Sequence, residues 1–199
     1  MTQSPQNVAP ADGKLGILCV GLGAVTSTLI AGVELAKKGM AQPIGSLTEM
    51  GTIRLGKRTD DNVPAIRDFV PLASLDDIVF GAWDPFPDDA YVAAQRAGVL
   101  ESGRHIEPIA DDLRSVVPMP AAFDADYVKR LDGPNVKDRT DKRAMLEGIR
   151  ADIEAFKEKN LLERVVMIWC GSTEIFIEPG RVHADLEAFE AAIDENHPD

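Results

Sequence analysis

Two cysteines, three histidines, a shortage of basic residues and no long apolar run limit what this 199-residue chain can be. Cys19 and Cys170 both sit inside apolar runs, which argues against a disulfide framework and for buried, reduced thiols in a cytoplasmic protein. His105, His183 and His197 are scattered without ligand spacing, so no metal site is expected. The longest apolar runs, residues 15–20 and 165–170, are of strand length, whereas a membrane span needs about 20 residues. Lys and Arg total 21 against 33 Asp and Glu, a net charge of −12. Such a surface repels phosphate backbones and anionic membranes, so neither nucleic acid nor membrane is an expected partner. Residues 1–13 are polar, without the basic start and apolar centre of a secretory signal, and are expected to form a frayed tail. No P-loop, Ser-His-Asp order or paired-carboxylate motif is present.

What remains has the composition of an ordinary globular domain, 45% hydrophobic and 27% charged, and no linker divides residues 14–199. The run from Lys14 to Val20 reads as a buried strand that ends in Gly21-Leu22-Gly23. A helix follows to about Lys38, with Leu29, Val33 and Ala36 on its apolar face and Gly39 as its stop. Residues 40–74 are irregular, with one strand expected at 52–55; a stretch of that length is functional or wraps a partner. A second buried strand is expected at 78–81, ending at Trp83-Asp84. Asp88 then caps a helix closed by Gly98. Pro118 and Pro120 lie in a connector, and Gly133-Pro134-Asn135 signals a loop. A long helix over 141–159 carries Met145, Ile149, Ile153 and Phe156 on one stripe. A third buried strand is expected at 164–170, and a last amphipathic helix carries Leu186, Phe189 and Ile193. Strands alternating with helices predict an α/β fold, a parallel sheet with helices on both faces.

Three strand ends carry the candidate chemistry. Gly21-Leu22-Gly23 joins a strand to a helix: the first Gly permits the tight turn, the second lets a pyrophosphate approach, and the helix N-terminus faces the phosphates. Thr26 stands where the usual third glycine would be, and Glu49 is nearest to the expected spacing of a ribose-binding acid, though in irregular sequence. A plain tight turn is the competing reading. Asp84 either accepts ribose hydroxyls beyond its strand or caps the chain near Pro85. Cys170-Gly171-Ser172-Thr173-Glu174 leaves the third strand with small and hydroxyl residues that let a cofactor close to the backbone. Glu174 is either an acid–base group or a surface residue, and Cys170 reads as a structural thiol before a nucleophile. Lys57 and Arg58 read as part of a solvated charge run beside Asp60 and Asp61.

Together these junctions resemble the N-terminal half of inositol-3-phosphate synthases, also called myo-inositol-1-phosphate synthases. The matching pieces are Val20-Gly21-Leu22-Gly23, the run from Ile78 to Asp84 and the run from Val166 to Glu174; Leu47-Thr48-Glu49-Met50-Gly51 and Leu55-Gly56-Lys57-Arg58 fit bacterial-type members. The resemblance implies a Rossmann-like domain, incomplete relative to the full enzyme. It implies isomerisation of glucose 6-phosphate to inositol phosphate, in which bound NAD oxidises the sugar, an aldol step closes the ring and NADH reduces the product. It also implies that Gly21, Gly23, Ala24, Val25 and Thr26 line the pyrophosphate, that Asp84 meets the adenosine ribose, and that Cys170, Gly171, Ser172 and Thr173 flank the cofactor. Many members carry asparagines where this chain has Val25 and Thr26, and Thr-Ala-Asn-Thr where it has Cys170-Gly171-Ser172-Thr173. The family's catalytic lysines and aspartates lie in sequence beyond this chain. The expectation is therefore a fragment or one piece of a split protein, a homo-oligomer or the partner of a missing catalytic half. The alternative of a small NAD(P) oxidoreductase is disfavoured, because no Tyr-Lys pair or acid–base histidine presents itself.

Overall fold

A computed structural model describes residues 12–198. The expected frayed tail at 1–13 lies outside the described residues as far as residue 11. In chain order the elements are β1 (Lys14–Val20), α1 (Ala24–Lys37), α2 (Leu47–Met50), α3 (Ile66–Phe69), β2 (Ile78–Asp84), α4 (Ala90–Ala97), α5 (Ala110–Ser115), β3 (Met119–Pro120), α6 (Lys142–Asn160), β4 (Leu162–Trp169) and α7 (Leu186–Asp194). The strands form one sheet in the order β3-β2-β1-β4, and every pairing is parallel. The chain steps outward from β1 to β2 and β3, then crosses back to lay β4 on the other side of β1. The C-terminal ends of β1 and β4 therefore flank a topological switch point, where open α/β sheets bind ligands.

β1 is central because both of its faces are apolar: Leu18 and Cys19 point to opposite sides, and both are fully buried. On one face Ile17, Cys19, Ile78, Phe80 and Ala82 pack under α1, α4 and α5. On the other, Leu18 and Trp83 pack with Ile149, Ile153 and Phe156 of α6. Two strand glycines let α6 sit close, since a Cβ at Gly16 or Gly81 would come within 2.8 Å of the Phe156 ring. Trp83 Nε1 donates to Asp152 (2.8 Å), which also pairs with Lys137 at 2.6 Å, so the helix is pinned as well as packed.

Several expectations are corrected. The buried face of α1 consists of Thr26, Ser27, Ile30, Ala31 and Leu35, while Leu29 and Val33 only flank the core. The glycine turn sets the rotation of α1 and presses its first turn onto the sheet. The two buried hydroxyls cost little because they donate to the Gly21 and Ala24 carbonyls. The strand expected at 52–55 is a single antiparallel bridge, Thr52 to Ala65, supported by Ile53 N–H to Pro64 O and Leu55 N–H to Asn62 O. β2 runs on through Asp84. The Pro118/Pro120 connector contains β3, a two-residue edge strand where proline's missing donor is tolerated. Asp89, not Asp88, caps α4 by accepting from Val92 N–H at 2.9 Å.

The strand expected as buried at 164–170 is an edge. β4 pairs with β1 on one side, and among the described residues no strand covers the other. Met167 is 58% and Trp169 64% exposed. Leu186 and Phe189 of α7 are exposed too. Hydrophobicity alone does not tell a central strand from an edge strand.

Candidate functional site

The glycine turn is held from both sides. Gly21 N–H donates to Trp83 O at 2.8 Å, and Cys170 N–H donates to Val20 O at 2.9 Å, so the tips of β2 and β4 each continue their pairing onto the tip of β1. Gly21 adopts φ +95°, which only glycine takes without strain, and a Cβ there would lie 3.5 Å from Gly171 N. Asp84 closes the third side. Its Oδ2 accepts from Leu22 N–H at 2.6 Å and its Oδ1 from Phe86 N–H at 2.9 Å, which fixes the carboxylate beside the turn. Residues 21, 84 and 171 thus meet at one cleft of about 300 Å³.

Gly23 has a different role. Its φ of −100° and ψ of −154° suit any residue, and a Cβ would meet nothing within 4 Å. The space in front of it is open. It begins α1, a helix with no side-chain cap and no acidic residue in its first turn. N–H groups of a first turn lack intrahelical partners and carry the positive end of the helix dipole. An anionic group placed before Gly23 and Ala24, which both line the cleft, would meet that positive end without displacing any protein group. These residues fit a dinucleotide's pyrophosphate. At about 300 Å³ the cleft is at the small end for ligand sites, so the described chain encloses part of a dinucleotide and not all of it.

Of the residues singled out in the sequence, Gly21, Gly23, Ala24, Asp84, Cys170, Gly171, Ser172 and Thr173 line this cleft. Val25 and Thr26 do not. Val25 is 66% exposed, and Thr26 is wholly buried with its Oγ1 donating to Gly21 O at 2.6 Å. Thr26 staples the turn to the helix, and neither residue reaches the cleft. Lys57, Arg58 and Glu49 lie away from the cleft. Glu174 folds over Gly171, where any side chain would collide with its carboxylate and come within 3.2 Å of the Trp169 indole nitrogen. Among the described residues no histidine, cysteine or acidic cluster has metal-site geometry. Sequence reasoning missed Phe86, Asp88, Arg96 and Leu131, which also line the cleft. For Phe86, Asp88 and Arg96 the available signal was their place directly after the tip of β2, in the loop and helix α4 that follow Asp84; nothing in the sequence pointed to Leu131.

Cys19 and Cys170 are both free thiols. Burial, helped by the neighbouring Cys170, raises the Cys19 pKa to about 11, so it stays protonated and inert at neutral pH. Cys170 is half-buried and lines the cleft. Iodoacetamide at pH 8 is therefore expected to label Cys170 and spare Cys19, with NAD slowing the reaction. Peptide mass mapping reads this out, and equal labelling of both thiols would contradict the packing described.

A glycine turn at the switch point of a 3-2-1-4 parallel sheet, braced by an acidic residue at the tip of the adjoining strand β2, defines a dinucleotide-binding domain of the Rossmann type. Residues 15–199 match the NAD-binding family model described as myo-inositol-1-phosphate synthase. The chain belongs to that family. An inositol-3-phosphate synthase of Bacteroides thetaiotaomicron is 45% identical over 193 residues, covering 96% of this chain and 44% of that relative. Isozyme 1 of Arabidopsis thaliana is 33% identical over 177 residues, covering 81% of this chain and 34% of that protein. The crystal structure of inositol-3-phosphate synthase from Caenorhabditis elegans superposes with a TM-score of 0.83 at 28% identity, over 93% of this chain and 40% of that one. The chain thus spans less than half the length of these relatives. Among its described residues no helix is long and apolar enough to cross a membrane.

Proposed function

We propose that this chain supplies part of the NAD site of an inositol-3-phosphate synthase, a cytoplasmic enzyme that isomerises glucose 6-phosphate to 1D-myo-inositol 3-phosphate. The observation that carries the reading is the convergence of the Gly21–Gly23 turn, Asp84 and residues 170–173 on one cleft at the switch point. In this reading NAD supplies the hydride chemistry. The N-terminus of α1 holds the pyrophosphate, Asp84 accepts from the adenosine ribose, and the small residues 170–173 let the nicotinamide end lie against backbone. No residue of this chain is assigned to proton transfer. Two results are expected from the purified chain: titration calorimetry gives binding heat with NAD at millimolar concentration or below, and glucose 6-phosphate is not converted. Absence of heat at millimolar NAD would defeat the cofactor reading. Inositol phosphate made by the pure chain would overturn the assignment of the chemistry to sequence outside it.

A second reading rests on β4. Its open edge, with Met167, Trp169 and Phe176 exposed at and after it, supports self-association or docking of a missing catalytic half. The isolated chain is expected to run as a dimer or larger species in multi-angle light scattering. A clean monomer at high concentration would count against self-association.

A further inference from the structure

Residues 42–72 are ordered without a core of their own. The antiparallel bridge from Thr52 to Ala65, with Ile53 N–H to Pro64 O and Leu55 N–H to Asn62 O, makes them a hairpin whose tip is residues 56–61. Behind the tip α2 packs on α3: a Cβ at Gly51 would meet Leu47 Cδ1 at 2.8 Å and Ile66 Cδ1 at 3.1 Å. The backbone hydrogen bonds of residues 42–72 end within the segment, and no described side chain in it is buried. Ile44 is 82% and Leu47 74% exposed, and Met50, Ile53 and Val63 are exposed as well. Fixing a backbone costs conformational entropy that burial of apolar surface normally offsets, and this arm makes no such burial inside the chain. Apolar side chains gathered on an ordered, uncovered arm mark a docking surface.

Charge points to what docks. Residues 40–74 carry four basic residues (Arg54, Lys57, Arg58, Arg67) against four acidic ones (Glu49, Asp60, Asp61, Asp68), so the whole net charge of −12 lies outside the arm. Among the described residues, Arg54, Lys57 and Arg58 at and beside the tip form no ion pair, and neither do Asp76 and Asp77 at the foot, where the chain returns to β2. An element with unpaired cations at one end and unpaired carboxylates at the other is complementary to its own copy. Laid antiparallel, two such elements satisfy both ends at once, which is the reciprocity of a two-fold contact. We propose that residues 42–72 are a dimerisation arm on which a second copy of this chain lays its own arm antiparallel, covering Ile44, Leu47 and Met50 and setting the basic tip of each copy against Asp76 and Asp77 of the other. This surface is distinct from the β4 edge, and the inference does not rest on the NAD reading.

The test is multi-angle light scattering of the full chain over a range of concentrations. Wild type is expected to dimerise, with a smaller dimer fraction at high salt. Lys57→Glu/Arg58→Glu and, separately, Asp76→Lys/Asp77→Lys are each expected to raise the dimer dissociation constant by about a hundredfold or more, because each sets like charges face to face. Ile44→Glu should do the same through the apolar contact. Mixing the two charge-reversed variants should restore a dimer, since each tip then meets a foot of opposite sign; a variant that had merely lost its fold would not be rescued. Circular dichroism of each variant should match wild type. Met167→Lys on β4 should leave this dimer intact. A monomeric wild type overturns the proposal, as does a dimer that survives Ile44→Glu and both charge reversals, or one lost in Met167→Lys alone. Absence of rescue in the mixture overturns the pairing of tip with foot.

Discussion

Gly23→Asp is expected to leave the protein folded and to weaken NAD binding by at least about a hundredfold, since two like charges about 4 Å apart near a protein surface repel by about 4 kcal/mol. The backbone at Gly23 is already in a conformation open to any residue, and a Cβ there meets nothing. Aspartate at an N-cap accepts from the first-turn N–H groups, which gives α1 the cap it lacks and adds about 0.5 kcal/mol from the helix dipole. The same carboxylate takes the place reserved for the pyrophosphate. Thermal melting should show an unchanged or slightly higher Tm while calorimetry shows NAD heat lost. Retention of wild-type NAD affinity would show that the phosphates do not sit at this helix end. The opposite result, unfolding, would mean that the space before Gly23 is filled by protein.

Asp84→Asn is expected to lower stability even without cofactor. The carboxylate accepts two backbone N–H groups, from Leu22 at 2.6 Å and Phe86 at 2.9 Å. An amide has one accepting oxygen, so its NH₂ must face one of those donors. One partly buried N–H left unmet costs about 1–3 kcal/mol. For a domain of this size that corresponds to a Tm lower by about 4–8 °C for a loss of about 2 kcal/mol. NAD affinity should fall by about tenfold or more, because the turn loosens and the ribose loses a charged acceptor. A variant with weaker NAD binding but an unchanged Tm would mean that Asp84 serves the ligand alone and does not brace the turn.

The pair of outcomes separates two demands that the sequence presents as one motif. Gly21 and Asp84 answer to the backbone: one takes a φ of +95°, the other binds two N–H groups. Gly23 answers to empty space. The spacing rule for a ribose-binding acid, about 20 residues after the glycines, points at Glu49, which does not line the cleft. Asp84 lines it from the tip of the second strand, and irregular residues from 40 onward delay that strand, so Asp84 arrives late in the chain. A count of residues does not carry the position of a strand tip in the sheet.

Other features were readable because they are local. Gly39 and Gly98 close their helices with positive φ. Asp141 caps α6 by accepting from Ala144 N–H. The stripe of Ile149, Ile153 and Phe156 meets the sheet. The rotation of α1 was not readable, because the face it buries is chosen by the turn that launches it and includes two polar residues. The status of β4 was not readable either, since an apolar run looks the same in a central strand and in an edge strand.

By itself the sequence determined the alternation of strands and helices, the glycine turn that joins the first pair and the acidic surplus, since each follows from neighbours in the chain and their periodicity. Only the tertiary structure decided which tips share a cleft and that Asp84 reaches back 62 residues to bond Leu22. The physical reason is the same for both. Parallel strands are joined by long crossovers, so residues that meet at the sheet's C-terminal edge are far apart in sequence, and the pairing order, which no local pattern encodes, brings them together.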